Sequence, residues 1–499
     1  MKKKNQSYSQ ILKSTTIFGG SQLMVILIGI IRTKIVAMLL GTTGVGIIGI
    51  YYSVINMIRS AAGLGIDTAG VREVAEINST GDETLLHKTV NRYNLWFLST
   101  ALIGLFLCIV FCYPISIWAF GNDRYTLAFA ILSVCVFLAI LTAGRSTLLQ
   151  GMRRVSYLAK SNILSSLISL VVAVPIYFFF GTEAIVFAFL LTFLISFLCV
   201  EFYYRKLHIP RMKVIGKEAF LAGLKPLRLG IYIVIGAFIS TVSLFVIRAF
   251  ITRNLGIEAA GLFQSAWVIT NIYLGLVLQS MGTDFFPRLS AIAGNENKVR
   301  ELVNEQTYVA LVVASPIIVA MILFSSIAIS VLYSSEFSFA DSILRWQVLG
   351  TFFKVLSWPM AFIMLAKNKG AIYLFSEGLY YVVYLLSAYL LYPIYGLLSA
   401  GIAFFIAYLV YLPVVFIIAF RLSAFRWNRD VVIMSLVNLV LVISTFLVST
   451  YVADTIEGII LKCILMVVSL IYGYYNLRKI FNIADLKTWF GCKSDGDRK

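Results

Sequence analysis

The chain has 499 residues, 60% of them hydrophobic and 13% charged, about half the charged share of an ordinary soluble domain. Apolar stretches of about 20 residues, enough to cross a bilayer core roughly 30 Å thick, recur with only short breaks, which excludes a separate soluble domain. The net charge of +18 does not call for nucleic acid, because the placement of the basic residues accounts for it.

A backbone in lipid must satisfy its own hydrogen bonds, so the choice lies between a helix bundle and a closed barrel. Runs such as LMVILIGII and ILSSLISLVVAVPIYFFF lack the period-two alternation of barrel strands. The chain therefore reads as an all-α polytopic membrane protein. Fourteen spans are predicted: 14–40, 44–65, 93–120, 126–144, 161–181, 184–203, 229–251, 259–283, 308–333, 343–366, 371–391, 396–420, 431–452 and 458–477. The first is too long for a cleavable signal peptide, carries Arg32 and Lys34 and leads directly into another apolar segment, so the basic N-terminus is expected to be retained.

Of the 41 Lys and Arg, only Arg124 and Arg253 fall in one alternate set of loops and seven lie within spans, leaving 32 on the other side. That asymmetry predicts both termini in the cytoplasm and reads the basic loops as topogenic charge beside anionic lipid. The loops expected outside are short, while 66–92 and 204–228 on the inside are long. A polysaccharide polymerase would need an outer loop able to hold a catalytic site. Five cysteines, at 108, 112, 135, 199 and 463, lie in apolar runs and Cys492 in the tail; they read as small buried residues rather than a disulfide or metal set. His87 and His208 fall in loops and read as solvated. No catalytic residue, metal site or cofactor is expected.

Two stretches share a register: RTKIVAMLLGTTGVGIIGIYYSVINMIRSAAGLGIDTAGVRE from Arg32, and RAFITRNLGIEAAGLFQSAWVITNIYLGLVLQSMGTDFFPRLS from Arg248. Each has glycines five apart, Gly41 and Gly46 or Gly256 and Gly261. Asn56 and Asn271 follow, preceded by Tyr52 and Trp267, and each stretch ends on an acid and a base, Asp67 with Arg72 or Asp284 with Arg288. The offset covers six helices, so the halves share orientation. Expected domains are a six-helix bundle over 1–203, a basic linker over 204–228, a second bundle over 229–420, and two further helices with a tail over 421–499.

These residues resemble the polysaccharide-transporter branch of the multidrug, oligosaccharidyl-lipid and polysaccharide (MOP) exporter superfamily, the Wzx-type O-antigen flippases. The resemblance rests on LLGTTGVGIIGIYYS with GLGIDTAGVRE, on LLQGMRRVSYLAKSN, and on AAGLFQSAW with DFFPRLS. Thr42 stands where family members often have proline. The resemblance implies a V-shaped pair of bundles around a central cavity in the bacterial inner membrane. It implies transport of an undecaprenyl-pyrophosphate-linked O-antigen or other lipopolysaccharide repeat unit to the outer leaflet, in contact with membrane lipid and polysaccharide polymerase machinery. A peptidoglycan-precursor flippase, a multidrug exporter and, at greater distance, a polymerase are the alternatives.

Among the seven cations within spans, Arg345 and Lys462 lie near outer helix ends and read as structural. Arg32, Arg59, Arg248 and Lys354 lie deeper, where each charge costs about 2.5 to 3.5 kcal/mol on insertion scales. The only carboxylate well inside a span is Glu377. A positive interior suits a pyrophosphate, to which arginine donates bidentate bonds. Tyr52, Asn56, Arg59 and Gly63 share one helix face, as do Gln264, Trp267, Asn271, Gly275 and Gln279. These stripes either line a cavity or join helices. The candidate cavity residues are Arg32, Arg59, Arg248, Lys354, Asn56, Asn271, Tyr52, Trp267 and Gln264. Arg32 and Lys34 cannot share a face, and Arg32 is favoured as the partner of Arg248 by repeat. Glu377 is either a coupling-ion site or the counter-charge of Lys354.

Overall fold

The computed structural model describes residues 2–63, 65–210, 227–452 and 455–480. Residues 211–226 of the expected linker, the tail with Cys492 and the side chain of Gln279 lie outside the described residues. In chain order the helices are α1 Lys2–Gly63, α2 Ile66–Thr80, α3 Glu83–Val110, α4 Cys112–Phe120, α5 Thr126–Gly151, α6 Val155–Phe180 and α7 Ile185–Arg205. They continue with α8 Leu227–Leu255, α9 Ile257–Val268, α10 Leu274–Ala291, α11 Glu296–Leu323, α12 Ser325–Leu332 and α13 Ala340–Ala366. The last are α14 Gly370–Tyr395, α15 Ser399–Ser423, α16 Arg429–Tyr451 and α17 Ile456–Ile480.

Ten stretches are long and apolar enough to cross a membrane. Three of them, Ser21–Gly63, Val155–Arg205 and Gly370–Ser423, each hold two of the predicted spans. The predicted eighth span falls on α9 and α10, which a π turn at Ile269–Tyr273 separates. All fourteen predicted spans thus fall on helix, and the chain is a multi-pass, all-α membrane protein.

The differences lie at polar helix ends. Helix α3 begins at Glu83 and α11 at Glu296, ten or more residues before the apolar runs that marked them. Each start is capped: Asp82 Oδ1 accepts from the Leu85 N–H at 2.9 Å and Asn295 Oδ1 from the Lys298 N–H at 3.1 Å, satisfying a donor that a helix start otherwise leaves open. Helix α2 occupies what reads as loop in the sequence. Its buried residues Ile66, Gly70 and Val74 recur every four positions and face inward as one stripe.

The internal repeat is written in the backbone. Left-handed residues pair across the halves: Gly41 with Gly256, Arg153 with Asn368 and Gly181 with Gly396, each 215 residues apart, and His208 with Ala424 at 216. Gly41 bends α1 at φ 61° and ψ −164°, a conformation essentially confined to glycine. Gly181 and Gly396 each open a 3-10 turn that reverses the chain between adjacent helices, α6 to α7 and α14 to α15.

By packing the chain falls into two compact units, residues 1–264 with 330–337, and 265–329 with 338–499. In the first unit α1, α3, α5, α6, α7 and α8 form the body, with α2 laid against α5 and α3. Between apolar helices in lipid the cohesion comes from close van der Waals fit rather than exclusion of water. Its centre is aromatic: the Tyr51 ring stands edge-on to Phe129 at 5.6 Å and to Phe189 at 5.8 Å. Gly46 and Gly261 mark the tightest approach. A Cβ on Gly46 would collide with the Ile257 carbonyl oxygen, and one on Gly261 with that of Thr42. The second glycine of each repeat is therefore where one repeated turn rests on the other.

In the second unit α13 is the core helix, packed on α15 and α11, while α16 and α17 pack on α11. Arg345 ties these parts together. It pairs with Asp341 at 2.5 Å, donates to Ser325 Oγ at 3.1 Å and reaches the Ser449 carbonyl on α16, in keeping with its structural reading.

Candidate functional site: a polar cavity in the first unit

Two adjoining cavities open in the first unit. The inner one, of about 340 Å³, is lined on α1 by Ser53, Asn56, Arg59 and Ser60, and elsewhere by Asp67, Thr68 and residues of α5 and α8. The outer one, of about 680 Å³, shares Arg59, Asp67 and Thr68 with it and adds Arg72, Thr142, Ser146, Gln150 and Ser196. The lining sets hydroxyl and amide groups among apolar side chains that include Phe97, Ile140, Ile233 and Phe193, a few polar groups on a mostly apolar wall as ligand cavities show.

Of the candidate residues, Asn56 and Arg59 line this space. Their 3.6-residue periodicity with Ser53 and Ser60 puts them on the face that α1 turns toward it. Arg59 Nη2 stands 4.0 Å from Asp67 Oδ2, with both side chains close to half exposed (44% and 46%). An exposed pair at that distance is weak, so most of the guanidinium's donors stay available.

Arg248 is placed differently. It is only 4% exposed and donates through Nη1 to Ser53 Oγ and through Nη2 to Gln264 Oε1. It lies one side chain behind the cavity wall, because Ser53 is itself a lining residue. Gln264 packs against Gly49, whose absent Cβ leaves the room its side chain occupies. Arg32 is half-buried in α1 beside Tyr52 and Tyr177. The Tyr52 ring lies 4.8 Å from that of Phe189, tilted by 56°. Neither Arg32 nor Tyr52 lines the two cavities. Lys34 points elsewhere, donating to the Ser330 carbonyl at 2.7 Å and to that of Tyr333, so it caps the C-terminal end of α12.

The remaining candidates belong to the second unit. Trp267 stands edge-on to Phe404 at 5.9 Å. Asn271 sits in the π turn and donates to the Trp267 carbonyl at 3.3 Å. Lys354 Nζ lies 5.8 Å from the Tyr408 ring centroid and faces Glu377, which accepts from Tyr411 Oη at 2.7 Å. Glu377 and Lys354, both half-buried, thus lie in one neighbourhood with tyrosines around them, without an ion pair within 4.0 Å among the described residues.

Sequence reasoning missed a polar network at the basic side of the first unit. Glu201 accepts from Arg145 Nε at 2.7 Å and from Arg205 Nε at 2.8 Å. Arg145 also reaches Asn94, which donates to Tyr204 Oη at 2.8 Å. Glu73 joins Arg92 and accepts from Tyr93 Oη at 2.7 Å. Extending α5 to Gly151 would have placed Arg145 on the helix, six residues from its end, but hydropathy ends the span where the charges begin.

Residues 35–341 match the family described as polysaccharide biosynthesis protein. The lipid III flippase of Escherichia coli (strain K12) is 23% identical, with 80% of this chain and 96% of that protein covered. A putative O-antigen transporter of Shigella flexneri is 24% identical over 73% of this chain and 87% of its own length. Among solved structures, the inward closed lipid II flippase MurJ superposes with a TM-score of 0.68 at 15% identity, covering 93% of this chain and 98% of that one. An inward-facing multidrug resistance transporter of the MATE family gives 0.66 at 18%, covering 80% and 95%. These named relatives are transporters rather than enzymes. With more than half its length matched by the family, the chain belongs to the polysaccharide biosynthesis protein family.

Proposed function

We propose that the chain is a flippase carrying an undecaprenyl-pyrophosphate-linked oligosaccharide, an O-antigen or other surface-polysaccharide repeat unit, from the cytoplasmic to the outer leaflet of the bacterial inner membrane by alternating access. The observation that carries this reading is the polar cavity of the first unit, with Arg59 half exposed in a wall of hydroxyl and amide groups. A guanidinium there can hold a diphosphate bidentately, while serine, threonine and glutamine groups accommodate sugar hydroxyls. The names of the relatives, a lipid III flippase and a putative O-antigen transporter, point to the same class of cargo. The two six-helix halves, the linker over 204–228 and the two added helices are the moving parts of this scheme, with both termini in the cytoplasm.

In this scheme the charge is distributed. Arg59 meets the diphosphate, Arg248 fixes the hydroxyl of Ser53 from behind, and Arg32 adds positive potential from beside Tyr52 and Tyr177. On the other unit Trp267, Asn271 and Lys354 complete the binding groups, with Glu377 as counter-charge to Lys354. The test is complementation of a flippase-deficient strain with Arg32→Gln, Arg59→Gln and Arg248→Gln, singly and together. The triple variant should insert normally and produce no surface glycan. Arg59→Lys should rescue only in part, because the charge stays and the fork is lost. Normal surface glycan in the triple Gln variant would overturn the cationic mechanism.

A further inference from the structure

Beyond the cavity, the basic side of the first unit holds another pocket of about 680 Å³. Asn78 comes from the last turn of α2, Asp82 from the turn that follows, and His87 from the first turns of α3, which read as loop in the sequence; the turn after α5 supplies Arg153 and Arg154, and the segment just past α7 supplies His208. The only two histidines of the chain, 121 residues apart in sequence, thus share one pocket with two adjacent arginines. The pocket stands at the ends of helices that also wall the cavity: Arg72 and Gln150 line the cavity, while Ile77 and Met152 line the pocket.

The acids in the pocket are Asp82 and Glu83. Asp82 caps α3 and Glu83 lies in its first turn, where a negative charge offsets the helix dipole. Among the described residues, no carboxylate comes within 4.0 Å of Arg153 or Arg154. In the register that pairs Arg153 with Asn368, Met152 corresponds to Lys367 and Arg154 to Lys369. Lys367 donates to the Leu422 carbonyl at 2.6 Å and stands 3.8 Å from Glu296. The corner of the second half thus carries neither a guanidinium nor an imidazole at these positions, and the set of two arginines with two histidines belongs to the first half.

We propose that this pocket is a second binding site, distinct from the cavity, for a phosphate-bearing anion. Guanidinium forks match phosphate oxygens bidentately, and the His87 imidazole adds a donor, while His208 Nδ1 is held by the Lys206 carbonyl at 3.0 Å. Topogenic charge alone requires basic residues on this side but not their convergence with both histidines around one space. A lipid head group and a soluble phosphate ester share the required chemistry.

The test uses the full chain in phosphatidylcholine nanodiscs, titrated calorimetrically with inorganic pyrophosphate. Arg153→Gln with Arg154→Gln should weaken one class of binding by about tenfold or more, the scale of losing charge-assisted bonds, and Arg59→Gln should leave that class intact. Discs containing phosphatidylglycerol separate the sources. If a lipid head group is the occupant, native mass spectrometry finds retained phosphatidylglycerol that the double arginine variant loses, and pyrophosphate no longer competes. If the ligand is soluble, pyrophosphate binds equally in both discs. Should the arginine variant unfold early, His87→Gln with His208→Gln replaces it, and weakened binding is again expected. The proposal is overturned if the folded variant binds pyrophosphate and retains lipid as the wild type does, or if the wild type binds neither.

Discussion

Replacing Gly261 by alanine tests whether the two repeated turns rest on each other as tightly as the structure indicates. The new Cβ would overlap the Thr42 carbonyl oxygen and lie 2.7 Å from its carbon and 3.1 Å from its Cα. Carbon atoms settle at about 3.5 to 4.0 Å, so the 41–46 turn would have to retreat by roughly 1 Å. Every atom in the way is backbone, and no rotamer change relieves the clash. Overpacking of this kind costs about 1 to 3 kcal/mol, and the absence of any soft neighbour places Gly261→Ala toward the upper part of that range. Gly46→Ala should behave alike, since its Cβ would meet the Ile257 carbonyl oxygen and stand 3.0 Å from the Gly261 nitrogen.

The reference substitution is Gly29→Ala on the same α1, where nothing lies within 4 Å. There alanine gains helix propensity, about 1 kcal/mol in an ordinary helix. Thermal unfolding of the purified variants in one detergent is the assay. The midpoint of Gly261→Ala should fall by several degrees below wild type while that of Gly29→Ala holds or rises. Equal midpoints for the two alanine variants would refute the turn-on-turn contact.

Lys34→Met should lower the thermal midpoint, because it removes charge-assisted bonds to the carbonyls of Ser330 and Tyr333 worth about 1.5 to 3 kcal/mol each; an unchanged midpoint would count against the capping role. Lys354→Met and Glu377→Gln should each lower the thermal midpoint, whereas the double variant should be more stable than either single; additive losses would argue against a counter-charge. On topology, single cysteines at the exposed Ser335, at Thr43 or at Thr455, in a cysteine-free background, should react with an impermeant external thiol reagent, and those at Ser79, Met152 or Asn428 should not. Labelling of the second set in intact spheroplasts would reverse the orientation drawn from loop charge.

How legible the fold was depended on what each signal measures. Hydropathy reports transfer into lipid, so the predicted spans coincide with helix among the described residues and end where polar residues begin. It could not see that ETLLHKTVNRYN continues as helix α3 from the Asp82 cap, because polar residues outside the bilayer carry no transfer signal. The paired glycines were visible as a spacing, yet their two tasks were not. Gly41 and Gly256 take positive φ, whereas Gly46 and Gly261 yield space to a neighbouring backbone, and only three dimensions separate these reasons. The left-handed Arg153 was hidden altogether, since its counterpart is Asn368 and the two share no side-chain chemistry.

The candidate site was legible in part for a related reason. A stripe on a helix predicts a face, and the face of α1 that bears Asn56 and Arg59 does line the cavity. A lone deep arginine predicts only that its charge must be met by something. For Arg59 that is partly an open space and a distant carboxylate; for Arg248 it includes a serine hydroxyl and a glutamine oxygen. The insertion cost of the two residues is similar in the sequence, but their chemistry differs. A guanidinium held by these acceptors cannot swing out to meet a ligand without abandoning them. Ser53, with its hydroxyl engaged both by Arg248 and by the Gly49 carbonyl at 2.9 Å, is fixed in orientation at the cavity wall. In the proposed mechanism Arg248 therefore acts through its field and through Ser53, and direct recognition in the first unit is assigned to Arg59.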